Sequence, residues 1–402
     1  MSNETKAHIS ASLYNVGFMF CTGAIVQTFL LQIGFSAQQV YFYNSIAQMA
    51  QVLMMIMMIF ISPRIKKVKL VTGLSYMSLL ALALVLLIAA ISPSIAGSTL
   101  MMMIFGVSAL CFLGTGVYSV MSYCIPYYTI DMSNYARFIS LQMVYTGVAT
   151  FIFSSIHTFA TSKFEYMNAM AIFFALAVVF FILAFVFCIS MKENKELERT
   201  NGSSKEDYIA VFKNKDTYIL LIPNFTRGLA TGVVAVIAVI AISSNIVDEQ
   251  SSAYINIVMQ VAMFTGNLFY AAFCKKLSTT KLLLISAIGG SVFLPICLAF
   301  DMWGFLVVFF IAYFFRMILD TAFPVVVTEI IPREQIGAYT SIRMLVFTGA
   351  QAVAALLITP IVELVGYIGL LIFASAMQFI CAIVYFVVAR KRRKEAELKM
   401  DN

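Results

Sequence analysis

An all-α membrane protein is the fold class this sequence predicts: twelve transmembrane helices in two six-helix bundles related by a parallel pseudo-two-fold repeat. Three observations predict it. Twelve apolar stretches fill most of the 402 residues, each close to the roughly twenty residues a helix needs to cross a hydrocarbon core about 30 Å thick. The chain is 62% hydrophobic and only 11% charged, too apolar for a water-soluble domain of ordinary composition. Short polar signatures also recur, in the same order, in the two halves.

The stretches are 10–33, 38–61, 70–91, 98–122, 137–160, 167–190, 217–242, 251–273, 282–300, 303–328, 338–361 and 366–389. Lipid offers the backbone no hydrogen-bond partners, so stretches of this length are helices. None shows the ten-residue alternation of a membrane β-barrel. The first is longer than a signal-peptide core and no small-residue cleavage site follows it, so it reads as a retained span. Residues 1–190 form the first bundle, 191–216 a charged cytoplasmic linker with a break at Gly202, 217–389 the second bundle and 390–402 a basic cytoplasmic tail.

The repeat is legible in register. Asn44, Gln48 and Ala50 in the second span match Asn256, Gln260 and Ala262 in the eighth, and Pro126 with Asp131 matches Pro324 with Glu329. Thr146-Gly147 and Thr348-Gly349 follow in the same order. Each half begins on the same side and holds six spans, which makes the repeat parallel, with its axis along the membrane normal.

Charge sets the orientation. With the N-terminus inside and the spans alternating, 22 of the 26 Lys and Arg fall in or beside cytoplasmic segments, the positive-inside pattern. Only Lys163 lies outside, while Arg227, Arg316 and Arg343 lie within spans. The net charge of +7 is thereby explained without a nucleic acid partner. Seven cysteines lie in spans or on the inner side with no Cys-x-x-Cys pair, and two histidines are too few for a zinc site. No metal or cofactor is expected.

Ionised residues inside spans carry the functional signal, because each costs about 2.5–3.5 kcal/mol at the helix centre on insertion scales. Arg316 and Asp320 share a face of span ten with Tyr313. Arg227 in span seven has Asn224 and Thr231 on its face and no acidic partner in its own helix. Its neighbours Gly228 and Gly232 form a Gly-x-x-x-Gly pair that admits a close helix. These groups read as substrate contacts or as a structural ion pair joining spans seven and ten. Two arginines and one aspartate leave a charge of +1, which favours an anionic group on a substrate. Asp320 is the first candidate for a coupling-proton carrier and Asp131 the second.

Neutral polar groups mark the first half: Asn15 and Thr22 on span one, and Thr115, Tyr118 and Ser122 on span four. Their amides and hydroxyls suit a polyhydroxylated or amide-bearing solute. The amides of spans two and eight (Asn44, Gln48 and Gln51; Asn256, Gln260 and Asn267) read instead as interhelical packing. Asp131, Arg137, Glu329, Arg333 and Arg343 gather at the inner ends of spans four, five, ten and eleven, as helix caps or as an inner gate of ion pairs. His157 sits near the outer end of span five and reads as a polar helix-end residue.

Six spans, a charged inner linker, six spans and a basic loop after span two resemble the major facilitator superfamily. The loop reads Phe60-Ile61-Ser62-Pro63-Arg64-Ile65-Lys66-Lys67; it keeps the basic residues of the family motif and lacks its Asp and glycines. Pro324 through Glu329, Pro332, Gly337, Tyr339, Arg343 and Gly349 resemble the region between the tenth and eleventh spans of many members. Pro126-Tyr127-Tyr128 with Asp131 and Arg137 is similar to the sugar and glycoside symporter branch. The resemblance implies that spans one, four, seven and ten line a central cavity. It implies a monomeric secondary transporter in the cytoplasmic membrane that works by alternating access; the excess positive charge of Arg227 and Arg316 over Asp320 makes its solute small, polar and anionic, taken up with a proton. The alternative is a proton-driven exporter of drugs or metabolites. An enzyme is not expected, since no nucleophile–base pair or metal set is present, and neither is an ATP-driven pump, since no phosphate-binding glycine loop is present.

Overall fold

The structure is a computed structural model of the chain. It describes residues 1–61, 65, 67–92, 98–129, 135–192, 205–213, 215–248, 251–273, 277–330 and 336–400. Among these residues every regular element is a helix. Seven segments of them are long and apolar enough to cross a membrane, and a bent pair raises the number to eight. One of the seven, Ile342–Val388, is 47 residues long, about 70 Å at 1.5 Å per residue and so about two bilayer cores end to end. Gly366 divides it, with φ 71° and ψ −176°, a conformation that glycine alone adopts without a Cβ clash.

The chain forms two compact units. The first comprises Met1–Gly202 with Val236–Ser243 and Val247–Ile257; the second comprises Ser203–Ala235, Ser244–Ile246 and Val258–Asn402.

In the first unit the expected span one is two helices, α1 (Asn3–Cys21) and α2 (Gly23–Gln32), and it begins seven residues earlier than the apolar run. Thr22 between them is extended and ends α1. Then come α3 (Ala37–Ile61), α4 (Val68–Tyr76), α5 (Leu80–Ile91), α6 (Ser98–Thr129), α7 (Tyr135–Lys163) and α8 (Tyr166–Ile189). α1 packs on α7 and α8, α3 on α6, and α4 and α5 on α6 and α8. The amides of α3 hold neighbours, as their spacing predicts: Gln51 donates to the Ser119 hydroxyl at 2.9 Å, and Asn44 accepts from Gln27 at 3.3 Å. The carbonyls left open at the end of α8 are closed by residues from elsewhere in the unit. Lys6 Nζ donates to Ser190 O at 2.6 Å, Lys69 Nζ to Met191 O at 3.1 Å and Asn3 Nδ2 to Lys192 O at 2.7 Å. Cations there also complement the helix dipole.

The second unit holds α9 (Lys205–Lys213), α10 (Lys215–Val234), most of α12 (Ala253–Phe273), α13 (Thr279–Ile296), α14 (Met302–Ile330) and α15 (Ile336–Met400). Between α10 and α12 the short α11 (Ile237–Ser243) belongs to the first unit, where it packs on α2. α10 and α11 form the bent pair, at 44°. Within the charged stretch 191–216, residues 205–213 form α9, whose Val211 is fully buried in a cluster with Leu220, Leu283, Phe323, Tyr339 and Tyr385. At the other end α15 runs on as helix to Met400.

α10 packs on α15, and α13 on α14 and α15. The contact between α10 and α15 rests on the Gly-x-x-x-Gly pair. A Cβ on Gly228 would lie 2.4 Å from Phe347 O and one on Gly232 2.6 Å from Ala354 Cβ. Gly228→Val is therefore expected to destabilise the protein by about 1–3 kcal/mol through overpacking, while Gly349→Ala, which meets nothing within 4 Å, leaves stability unchanged or raised. Thermal melting of the two purified variants checks this; equal melting points would mean that α10 and α15 do not touch there.

Candidate functional site

The charged residues singled out within spans seven and ten meet inside the second unit. α10 presents Asn224, Arg227 and Thr231 at four- and three-residue steps, and α14 presents Tyr313, Arg316 and Asp320. Because Gly228 and Gly232 bring the α10 backbone against α15, Arg227 is buried beside α14 as well as α15.

Asp320 lies between the two arginines. Its Oδ1 is 3.4 Å from Arg227 Nη1 and its Oδ2 is 3.9 Å from Arg316 Nε. The arginine side chains are 10% and 13% exposed, and Asp320 is 31% exposed. Both pairs are longer than the 2.7–2.9 Å of a charge-assisted hydrogen bond. Accordingly Arg227 Nε and Nη1 and Asp320 Oδ1 have no aligned hydrogen-bond partner. The groups are paired by charge, not locked by geometry.

Other contacts hold the guanidiniums. Arg227 Cζ lies 4.8 Å from the Phe347 ring centre and 5.2 Å from that of Phe323, so the cation sits against two aromatic rings. Arg316 donates from Nη2 to the Thr231 hydroxyl at 3.0 Å and lies 5.3 Å from the Tyr313 ring centre. Thr231 in turn donates to Arg227 O at 2.7 Å. Asn224 Nδ2 donates to Leu220 O at 2.7 Å, with Tyr339 OH 3.5 Å away. The sequence pointed to neither phenylalanine: 36 of the 402 residues are Phe, so nothing in the pattern marks these two. Arg343 lies 5.6 Å from the same Phe323 ring.

The polar residues predicted in the first half lie in the first unit. Asn15, Thr22 and Thr115 each donate to a carbonyl three or four residues back in their own helix, Ala11 O at 2.8 Å, Phe18 O at 2.6 Å and Phe112 O at 2.8 Å. Tyr118 stacks 4.0 Å from Tyr14 and 5.4 Å from Tyr76, and Ser122 is partly buried. Of the inner-gate residues only Arg343 is described at side-chain level; Asp131, Arg137, Glu329 and Arg333 lie outside the described side chains. His157 lies within two turns of the end of α7, as read, but it is 3% exposed, buried against Phe173 of α8.

Residues 220–401 match the family model described as Major Facilitator Superfamily. No curated protein sequence matches significantly. Among solved structures, a mutant of the nucleoside transporter NupG is similar at a TM-score of 0.71 and 12% identity, over 96% of this chain and 99% of that one. A D-xylose-proton symporter gives 0.73 and 12% identity over 95% and 96%. A bacterial homologue of the iron transporter ferroportin, in an outward-facing state with soaked iron, gives 0.68 and 14% identity over 96% and 99%. At these identities the likeness carries the fold.

If the ion pairs balance the burial of three charges, removing one partner leaves the others uncompensated. Arg227→Met is expected to cost about 1–3 kcal/mol, held below the range for fully buried pairs by the partial exposure of Asp320. Adding Asp320→Asn should recover part of it, with a coupling of about 0.5–3 kcal/mol in a double-mutant cycle of unfolding. Strictly additive losses would show that the pair carries no interaction.

Proposed function

With the major facilitator fold over nearly its whole length and that superfamily's sequence pattern over residues 220–401, the chain is, we propose, a secondary transporter of a small polar, anionic organic solute. It works by alternating access in the cytoplasmic membrane, as twelve spans in two parallel repeats with both termini inside. It takes the solute up together with a proton.

One observation carries the reading: Asp320, nearly a third exposed, lies between the buried Arg227 and the partly buried Arg316 at 3.4 and 3.9 Å, longer than charge-assisted hydrogen bonds. An incoming carboxylate or phosphate offers Arg227 and Arg316 better-aligned acceptors than Asp320 provides, since a guanidinium holds such groups in bidentate fashion. Engagement of the arginines takes them from Asp320. Asp320, then without its cations, is the carrier of the coupling proton. Solute and proton are thereby bound together, and departure of either restores the ion pair. Thr231 and Tyr313 hold the Arg316 guanidinium, and Asn224 lies on the face of α10 that carries Arg227. Asn15, Thr22, Thr115, Tyr118 and Ser122 supply the polar contacts for the uncharged part of the solute. Asp131, Arg137, Glu329, Arg333 and Arg343 form the inner gate, with Asp131 the second proton candidate.

A thermal-shift panel of sugars, sugar acids, amino acids and nucleosides on purified protein identifies the solute class, because a ligand that binds only the folded state raises its melting point. Stabilisation by anionic members is expected, and its loss in Arg316→Lys. With that solute in proteoliposomes, Asp320→Asn is expected to reduce accumulation driven by a pH gradient by about tenfold or more, equivalent to about 1.4 kcal/mol, while solute exchange without a gradient persists. Gradient-driven accumulation that survives Asp320→Asn would remove Asp320 from coupling. The sign of the gradient that drives movement separates uptake from export.

A further inference from the structure

His157 lies two turns from the end of α7, in a polar pocket of the first unit that the proposed transport chemistry does not use. Its Nε2 is 3.4 Å from the Met170 sulfur, and its ring packs 4.9 Å from Phe173 and 6.2 Å from Phe20. The other ring nitrogen, Nδ1, is buried with no hydrogen-bond partner. A buried polar atom with an unmade hydrogen bond is unfavourable. The ring lines a cavity of about 10 Å³ with Thr28, Tyr166, Ser252 and Asn256, enough room for about one water among several polar partners. Two hydrogen bonds close the same end of the unit. The Thr28 and Ser252 hydroxyls are 2.9 Å apart, and Thr158 donates to Ala253 O at 3.4 Å. They join α2 and α7 to the turn before α12 and to its first residue.

We propose that His157 and this pocket form a second protonation site, separate from Asp320, which holds that end of the first unit shut while the imidazole is neutral and releases it when the ring takes a proton. With Nε2–H directed at the Met170 sulfur, Nδ1 is an acceptor, and a water in the cavity donates to it while bonding the hydroxyls and the Asn256 amide. That arrangement satisfies every polar group only for the neutral ring. Among the described residues, a proton on Nδ1 places a cation where no lining side chain is acidic. Tyr166, from α8, is the only other titratable one of them lining the cavity, while α2, the turn before α12 and its first residues contribute apolar groups, hydroxyls and one amide. Asp248, in the turn before α12, accepts from Ser251 N at 2.6 Å and does not line the cavity. A buried charge without a counter-charge is costly. The imidazolium is therefore stable only where water reaches it, and protonation shifts the population toward the opened pocket. The inference does not depend on Asp320 coupling to a proton.

The test introduces a thiol into the shut pocket. Ser252→Cys places it at a site 2% exposed. Its alkylation in the purified full-length protein is followed on the peptide carrying residue 252, from about pH 7.5 to about pH 5.5, the range in which an exposed imidazole titrates. Relative to the same thiol beside His157→Gln, which cannot be protonated and experiences the same thiol chemistry, the rate is expected to rise about tenfold as the pH falls. An equal pH response in both proteins, or none in either, overturns the proposal. Should His157→Gln fail to fold, nitrogen-15 NMR of labelled histidine replaces it, because the chain has only His8 and His157 and His8→Gln assigns the signals. The His157 ring should acquire its second proton in step with alkylation of the Ser252→Cys thiol. A ring that stays neutral while the thiol becomes reactive overturns the proposal as well.

Discussion

Charge in an apolar solvent governs how the second unit is built. Three ionised side chains stand near the middle of helices whose other residues are almost all apolar, and each costs about 2.5–3.5 kcal/mol on insertion scales. That cost falls only if the three meet. Arg316 and Asp320 are brought together by the helical repeat itself, four residues apart on α14. Arg227 must be delivered from another helix. The missing side chains at Gly228 and Gly232 let α10 close on α15, and that approach sets Arg227 against Phe347 and within reach of Asp320. Backbone contact, aromatic contact and ion pair are thus links of one arrangement, with the glycines as its first condition.

The quality of the pairing matters as much as its existence. A buried bidentate salt bridge with every donor satisfied is a poor switch, since breaking it leaves a charge stranded. Distances of 3.4 and 3.9 Å, with donors on Arg227 unaligned and Asp320 nearly a third exposed, describe a looser cluster. Its members gain Coulomb energy from one another but keep unused hydrogen-bonding capacity. Such a cluster tolerates exchange of one anion for another at small net cost. That is the property a site needs when solute and proton must be taken and released in each cycle.

Much of this was legible in the sequence, for reasons that differ by residue. The i, i+4 relation of Arg316 and Asp320 is a property of the helix period, and the exceptional cost of Arg227 in a span points to a partner elsewhere. Asn44 repeats in α12 as Asn256, which pointed to a packing role, and it accepts from Gln27; Gln51, outside the repeat, donates to Ser119. Three features stayed hidden. Phe323 and Phe347 are indistinguishable from other aromatics in spans that are rich in them. Val211 is buried because α9 folds back onto the unit's core, a tertiary effect that a charged local composition masks. The burial of His157 is hidden because it depends on what α8 lays against the end of α7.

The polar groups of the two units differ in what they leave available. In the first unit Asn15, Thr22 and Thr115 spend a donor on their own helix, which anchors each side chain and leaves its oxygen as an acceptor. In the second unit the guanidiniums hold only donors, and several of Arg227's are unaligned. The first unit's inventory therefore suits hydroxyl or amide donors, and the second unit's suits an anionic acceptor.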